Sequence, residues 1–303
     1  MDIWDILHGA LRMATPIGLA ALGGVFTHRA GVLNIAIEGM MLISAFVGVI
    51  TSYATGSVTA ALLAAIAVSV VIGLIFSFFG VTLQGNIIIT GLAVNIFALG
   101  ITSFILQSAF GMRGSLSSPE IVGLKPVDMP WLGGVPVIGP ILNNQTPIVY
   151  AGLLISIIVS IVLYKTKFGL YVRVVGENED AARSMGIRVS SIKYGAVAIS
   201  AVLSALAGVN LSLENLTMFV ENMTSGRGFI ALAAIFCGQG TPGGAYTFSF
   251  LFGLADAVQM RLQGFNVPGA FIQMIPYLFI VVILGVAGIM RNRGNTQRGI
   301  RND

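Results

Sequence analysis

Apolar residues run along this chain in long continuous blocks, broken by short polar or glycine-bearing segments. The blocks at 6–26, 32–53, 57–80, 86–108, 147–164, 194–211, 245–262 and 270–290 are long enough, or nearly so, to cross a bilayer as helices, which takes ~20 residues each. A ninth block, from Gly226 to Gly238, is short for a crossing. Loop charge decides how it is counted. Lys165, Lys167, Arg173, Arg183, Arg188 and Lys193 crowd 165–193, and Arg291, Arg293, Arg298 and Arg301 crowd the tail. Basic loops stay in the cytoplasm, so an even number of crossings separates the two. The short block supplies the fourth, as a broken helix fed by residues 214–225. The expected architecture is an all-α polytopic membrane protein of about nine transmembrane helices. Its N-terminus lies outside and its C-terminus in the cytoplasm.

The loop at 109–146 then falls outside. Pro119, Pro126, Pro130, Pro136 and Pro140 lie within it and Pro147 at its exit, so it reads as stiff. A short internal echo agrees with this topology. LQG at 83–85 precedes the fourth long block, LQG at 262–264 precedes the last, and the topology puts them on opposite faces. Opposite faces are what inverted repeats produce, with substrate held between them near the midplane.

Composition strengthens the membrane reading. The 303 residues are 56% hydrophobic and 9% charged, with mean hydropathy +0.92, against roughly 25% charged in an ordinary soluble domain. Asp2 and Asp5 precede the first block without a basic cluster, so that block reads as a retained span rather than a cleaved leader. Cys237 is the only cysteine, which excludes an intramolecular disulfide. The net charge of +4 is explained by membrane orientation, and no nucleic-acid partner is expected.

Polar residues inside apolar blocks need a reason. Asn34 and Glu38 stand four apart in the second block and would share one helix face. An ionised group at the bilayer centre costs ~3 kcal/mol, so it must face protein or water. Asn86, Thr90 and Asn95 repeat the pattern in the fourth block. Two readings stand side by side: a polar lining for a substrate pathway, or hydrogen bonds that hold helices together. Arg12 and Asp256 read as structural, and Arg261 as snorkelling to the outer surface. The run GQGTPGGA at 238–245 has no lysine and no preceding strand, so it is a turn rather than a phosphate loop.

The stretch GLYVRVVGENEDAARSMGI at 169–187 is a polar island. Gly176 can end an extended entry, Asn178 or Asp180 can cap a short helix through Ala181, Ala182 and Met185, and Gly186 can stop it. Such a helix suits a groove on another protein. The pattern Gly176, Asn178, Ala181-Ala182, Gly186-Ile187 resembles the coupling loop of ABC-importer permeases in the branched-chain amino acid, ribose and nucleoside superfamily. Gly31-Val32-Leu33-Asn34-Ile35 followed by Glu38-Gly39-Met40-Met41, and Ser225-Gly226-Arg227-Gly228-Phe229-Ile230-Ala231-Leu232-Ala233, resemble the nucleoside and simple-sugar permeases within it.

The resemblance implies a single permease domain over 1–303, with an external loop at 109–146 and a cytoplasmic coupling loop at 165–193. It implies a second permease subunit, a cytoplasmic ATP-binding subunit that holds the ATP and Mg, and a substrate-binding lipoprotein. The chain itself is then no enzyme and carries no cofactor. Gly176, Glu177, Asn178, Ala181, Ala182, Gly186 and Ile187 would meet the ATPase. Asn34, Glu38, Asn86, Thr90 and Asn95 would meet the hydroxyls and base edges of a nucleoside, and Phe97 and Phe229 the base face. A pentose or branched-chain amino acid remains an alternative cargo, and proton-coupled transport through Glu38 a different mechanism. No Ser/His pair, HExxH or metal-ligand cluster speaks for an intramembrane enzyme.

Overall fold

Three of the long apolar blocks become helices that offer much of their surface to lipid. A computed structural model describes residues 3–128 and 138–262, with scattered positions between 274 and 285. Among these, α3 (Val58–Ser77), α4 (Ile87–Phe110) and α6 (Pro147–Lys165) expose large side chains such as Leu63, Ile89, Ile96, Phe104, Leu154 and Ile157. Apolar residues all round a helix are what lipid permits and water does not. Local signals set the ends. Ser57 caps α3, Asn86 caps α4, and left-handed Gly56 and Gly111 close α2 (Ile37–Thr55) and α4, as glycine does where a helix must stop.

The centre is built from α1 (Ile3–Arg29), α2 and α9 (Val189–Val209), with α11 (Pro242–Leu262) along α1. Phe26, Phe76, Phe219 and Phe252 are among the largest side chains sealed inside. Small residues bring these helices together. A Cβ at Gly208 of α9 would strike the carbonyl oxygen of Met41 on α2, and one at Gly253 of α11 would strike the backbone of Ala14 on α1. In lipid such close packing supplies attraction that the hydrophobic effect cannot. Gly208→Ala is therefore expected to push α9 from α2 and cost ~1–3 kcal/mol. Thermal unfolding of the purified protein in detergent checks it; an unchanged midpoint would refute the contact.

Among the described residues, six helices are long and apolar enough to cross: Trp4–Arg29, Ile37–Thr55, Val58–Thr82, Ile87–Phe110, Pro147–Lys165 and Val189–Leu216. The last extends α9 through a π-helical turn, Asn210–Leu216. The short block forms α10 (Arg227–Cys237), and left-handed Gln239 and Gly240 make the turn into α11. The expected last span at 270–290, the second LQG and the basic tail lie outside the described residues, apart from Leu262 and the scattered positions.

Three sequence expectations are corrected. The second span does not start at Val32: residues 32–36 are irregular, and α2 begins at Ile37. Asn34 and Glu38 therefore do not share a helix face. The approach to Gly176 is not extended but helical, as α7 (Lys167–Glu177). Of the segment expected to feed the broken helix, residues 214–216 still belong to the π-turn, and β2 (Phe219–Val220) and tight turns make the break before α10. β2 pairs antiparallel with β1 (Ser115–Leu116) from the loop after α4. A five-residue helix, α5 (Ile138–Leu142), precedes α6.

Candidate functional site

Residues 223–228 turn sharply, with left-handed Ser225 and Gly226, and α10 starts against the first turn of α2. Gly228 is needed there, because a Cβ would come within 2.7 Å of the Glu38 backbone. An α-helix leaves its first amide N–H groups without partners, and in a dry interior each one left unpaired costs ~1–3 kcal/mol. Glu38, buried, resolves this. Its Oε1 accepts from the Gly226 N–H at 2.8 Å and its Oε2 from the Gly228 N–H at 2.6 Å. The positive end of the helix dipole favours that carboxyl group. Arg227 adds to the joint: it donates to the Met223 and Thr224 carbonyls and lies 3.8 Å from Asp256 on α11.

The irregular run before α2 also draws a backbone partner from a distant side chain, of the kind irregular backbone at membrane depth requires. Asn95 of α4 accepts from the Gly39 N–H at 2.8 Å and donates to the Ile35 carbonyl at 3.0 Å. Asn34 donates to Ser200 Oγ on α9 at 3.0 Å, while its buried Oδ1 has no hydrogen-bond partner among the described residues. Asn34, Glu38 and Asn95 are thus gathered around the start of α2. Phe229 follows Gly228 at that joint, whereas Asn86, Thr90 and Phe97 lie elsewhere on α4. Asn86 caps α4 through the Ile88 and Ile89 amides, and Thr90 donates to the Asn86 carbonyl. Phe97 and Phe229 are 59% and 45% exposed. Phe97 lines an apolar cleft of about 330 Å³ with Phe46, Ile72 and Ile105.

A second carboxyl group escaped sequence reasoning. Glu214, buried in the π-turn, accepts from the Ile148 N–H at 2.7 Å, from the Thr146 hydroxyl at 2.8 Å, and from the Asn210 amide. It caps α6 as Glu38 caps α10. Arg12 closes the network, donating to Asn215 Oδ1 at 2.7 Å and to the Glu214 carbonyl at 3.0 Å. The signal was present: Asn210 and Glu214 repeat the four-residue spacing of Asn34 and Glu38.

The polar island folds as its local signals direct. Thr166 caps α7, and Asn178 Oδ1 accepts from the Ala181 N–H at 2.9 Å to start α8 (Glu179–Ser184). Left-handed Gly186 ends it. The seven residues assigned there fall into two sets. Ala182 and Ile187 pack inward, Ala182 sealed with Val175 and Val189 and Ile187 beside them; Gly176 is exposed but lies so close to α1 that a side chain would strike the Arg29 carbonyl. Glu177, Asn178, Ala181 and Gly186 are exposed, as is Met185 at 63%. Glu179 pins the unit with 2.6 Å contacts to Arg183 and Lys193. The Lys193 hydrogen bond, helped by Arg183 and opposed by partial burial, holds its carboxyl below the usual range.

Residues 6–286 match the family described as the permease component of branched-chain amino acid transport systems. A nucleoside ABC transporter permease, NupC of Lactococcus lactis, is 34% identical over 93% of this chain and 91% of its own. The guanosine ABC transporter permease NupQ of Bacillus subtilis is 35% identical over 94% and 93%. In fold, the chain is similar to an inward-facing metal-chelate type ABC transporter, with a TM-score of 0.53, 16% identity, and coverage of 94% and 85%.

Proposed function

Since the chain belongs to the permease-component family of branched-chain amino acid transport systems, we propose that it is the membrane-spanning subunit of an ATP-driven importer for nucleosides. The observation that carries this reading is the full-length similarity to two permeases named for nucleoside and guanosine transport. Hydrolysis belongs to a separate ATP-binding subunit seated on α8, and cargo is delivered by an external binding lipoprotein. A second permease subunit completes the passage. The segment 165–193, which joins α6 to α9, is cytoplasmic by its six basic residues and the positive-inside rule. The β1–β2 pairing supports this topology, because it requires the loop after α4 and the segment after α9 to share one side.

The geometry refines the roles of the polar residues. Glu38 and Asn95 shape the pathway by fixing where α10 and α2 begin, since their hydrogen-bonding atoms are engaged by backbone. Asn34, with a free buried acceptor, is assigned to the cargo or to its water. Phe229, half-exposed beside the Glu38 joint, is assigned to the base face, as is Phe97. Asn86 and Thr90 sit at the start of α4 and serve at the mouth. Passage requires contacts weak enough to release cargo.

The complex in right-side-out vesicles, with its binding protein outside and ATP trapped inside, is expected to accumulate labelled guanosine. Unlabelled nucleosides should compete and free ribose should not. Uptake that ribose or leucine abolishes and nucleosides leave untouched would overturn the cargo assignment.

A further inference from the structure

A cavity of about 510 Å³ opens where the end of α1 meets the ends of α6 and α7, lined by His28, Arg29, Tyr164, Arg173, Gly176 and Glu177. Its volume is in the range of about 300–1,000 Å³ usual for small-ligand sites. Two guanidinium groups face one carboxyl group there. Arg29 spends its Nε and one Nη on the Gly240 and Gln239 carbonyls, which holds the group in place at the cavity it lines. Arg173 lies 5.4 Å from the Tyr164 ring centre and, among the described residues, makes only a long bond to the Gly169 carbonyl. Both cations are therefore positioned without being neutralised.

The surroundings identify the occupant. Leu154, Ile157, Ile161 and Tyr164 lie on one face of α6, and all are 42–59% exposed. This apolar stripe runs down the helix and ends at the cavity. On α7, Leu170 and Tyr171 are 48% and 40% exposed between Lys167 and Arg173, the pattern of a helix lying at headgroup depth. A cationic cleft at the end of an apolar stripe fits a phosphate group joined to acyl chains. We propose that this cleft binds the phosphodiester headgroup of an anionic phospholipid of the inner leaflet, its acyl chains lying along α6. The proposal rests on the reading that the α6–α9 loop is cytoplasmic, where anionic lipid meets basic side chains.

The test uses the assembled complex in nanodiscs of mixed phosphatidylglycerol and phosphatidylcholine, with mass spectrometry of the lipid retained after detergent washing. Phosphatidylglycerol should be enriched. Arg173→Gln should lower that enrichment roughly fivefold, the weight of one cation near an anionic leaflet, and Arg173→Lys should keep most of it. Arg29 is left unaltered because it also ties α1 to the turn before α11. Equal retention of the two lipids, equal retention in Arg173→Gln, or displacement of the lipid by inorganic phosphate at matched ionic strength would each overturn the site. ATPase copurification and uptake are measured on the same samples. Normal coupling without lipid enrichment defeats only the lipid site; loss of coupling in the unaltered protein defeats the transport reading instead.

Discussion

Glu38→Ala should deplete the assembled complex and lower its unfolding midpoint more than any other single change considered for α2. The substitution leaves the Gly226 and Gly228 amides buried without acceptors, at ~1–3 kcal/mol each, and opens a gap where α2, α10 and the turn at 223–226 meet. Glu38→Gln separates the two roles this residue can play. The amide keeps one acceptor and turns an N–H toward a backbone N–H, so about half of the loss is expected. Yield and unfolding temperature read the joint, and guanosine uptake per assembled complex reads the pathway. A Glu38→Ala complex that assembles at full yield with an unchanged midpoint would refute the joint. A fully assembled Glu38→Gln complex with altered cargo preference would move Glu38 into the pathway itself.

Ala181→Trp should uncouple the permease while sparing its fold. Ala181 is exposed on α8, while Ala182 beside it is sealed against Val175 and Val189. A bulky residue at Ala181 therefore meets only what docks there. Copurification of the ATPase subunit, or cargo-stimulated hydrolysis, should fall at least tenfold, ~1.4 kcal/mol or more of docking free energy, at wild-type yield of the membrane subunit. The same change at Ala182 would overfill the local core, at ~1–3 kcal/mol, and so cannot test docking. Wild-type uptake by Ala181→Trp would remove α8 from the interface.

How far the structure was legible follows the distance over which each feature is satisfied. The polar stretch 178–186 was legible because its signals are local: Asn178 caps, Gly186 stops, and both act within a few residues, whereas the helical approach to Gly176 was missed. The lipid-facing helices α3, α4 and α6 were legible because lipid leaves their apolar runs unbroken. Reading failed where distant partners replace helical hydrogen bonding. The irregular run 32–36 passed for helix because its composition is apolar and its donor, Asn95, lies sixty positions from Ile35. Glu214 passed unnoticed because the groups that need it, at 146 and 148, precede it by a whole helical hairpin. Glycine spacing gave close helix approach in general, without saying that Gly208 meets Met41 or that Gly253 meets Ala14.

The two carboxyl joints impose different histories on the growing chain. Ile148 lies 66 residues before Glu214, so the groups awaiting that side chain are already made when it leaves the ribosome. Glu38 is reversed: its amide partners lie 188 and 190 residues later. At ~5–20 residues per second, the nascent second helix holds an unmatched polar group for roughly ten to forty seconds. During that interval Asn95 arrives first and fixes the backbone on either side of Ile37, at Ile35 and Gly39. The amino-terminal helices therefore wait as an unfinished membrane intermediate, whose last acceptors are filled only when α10 is translated.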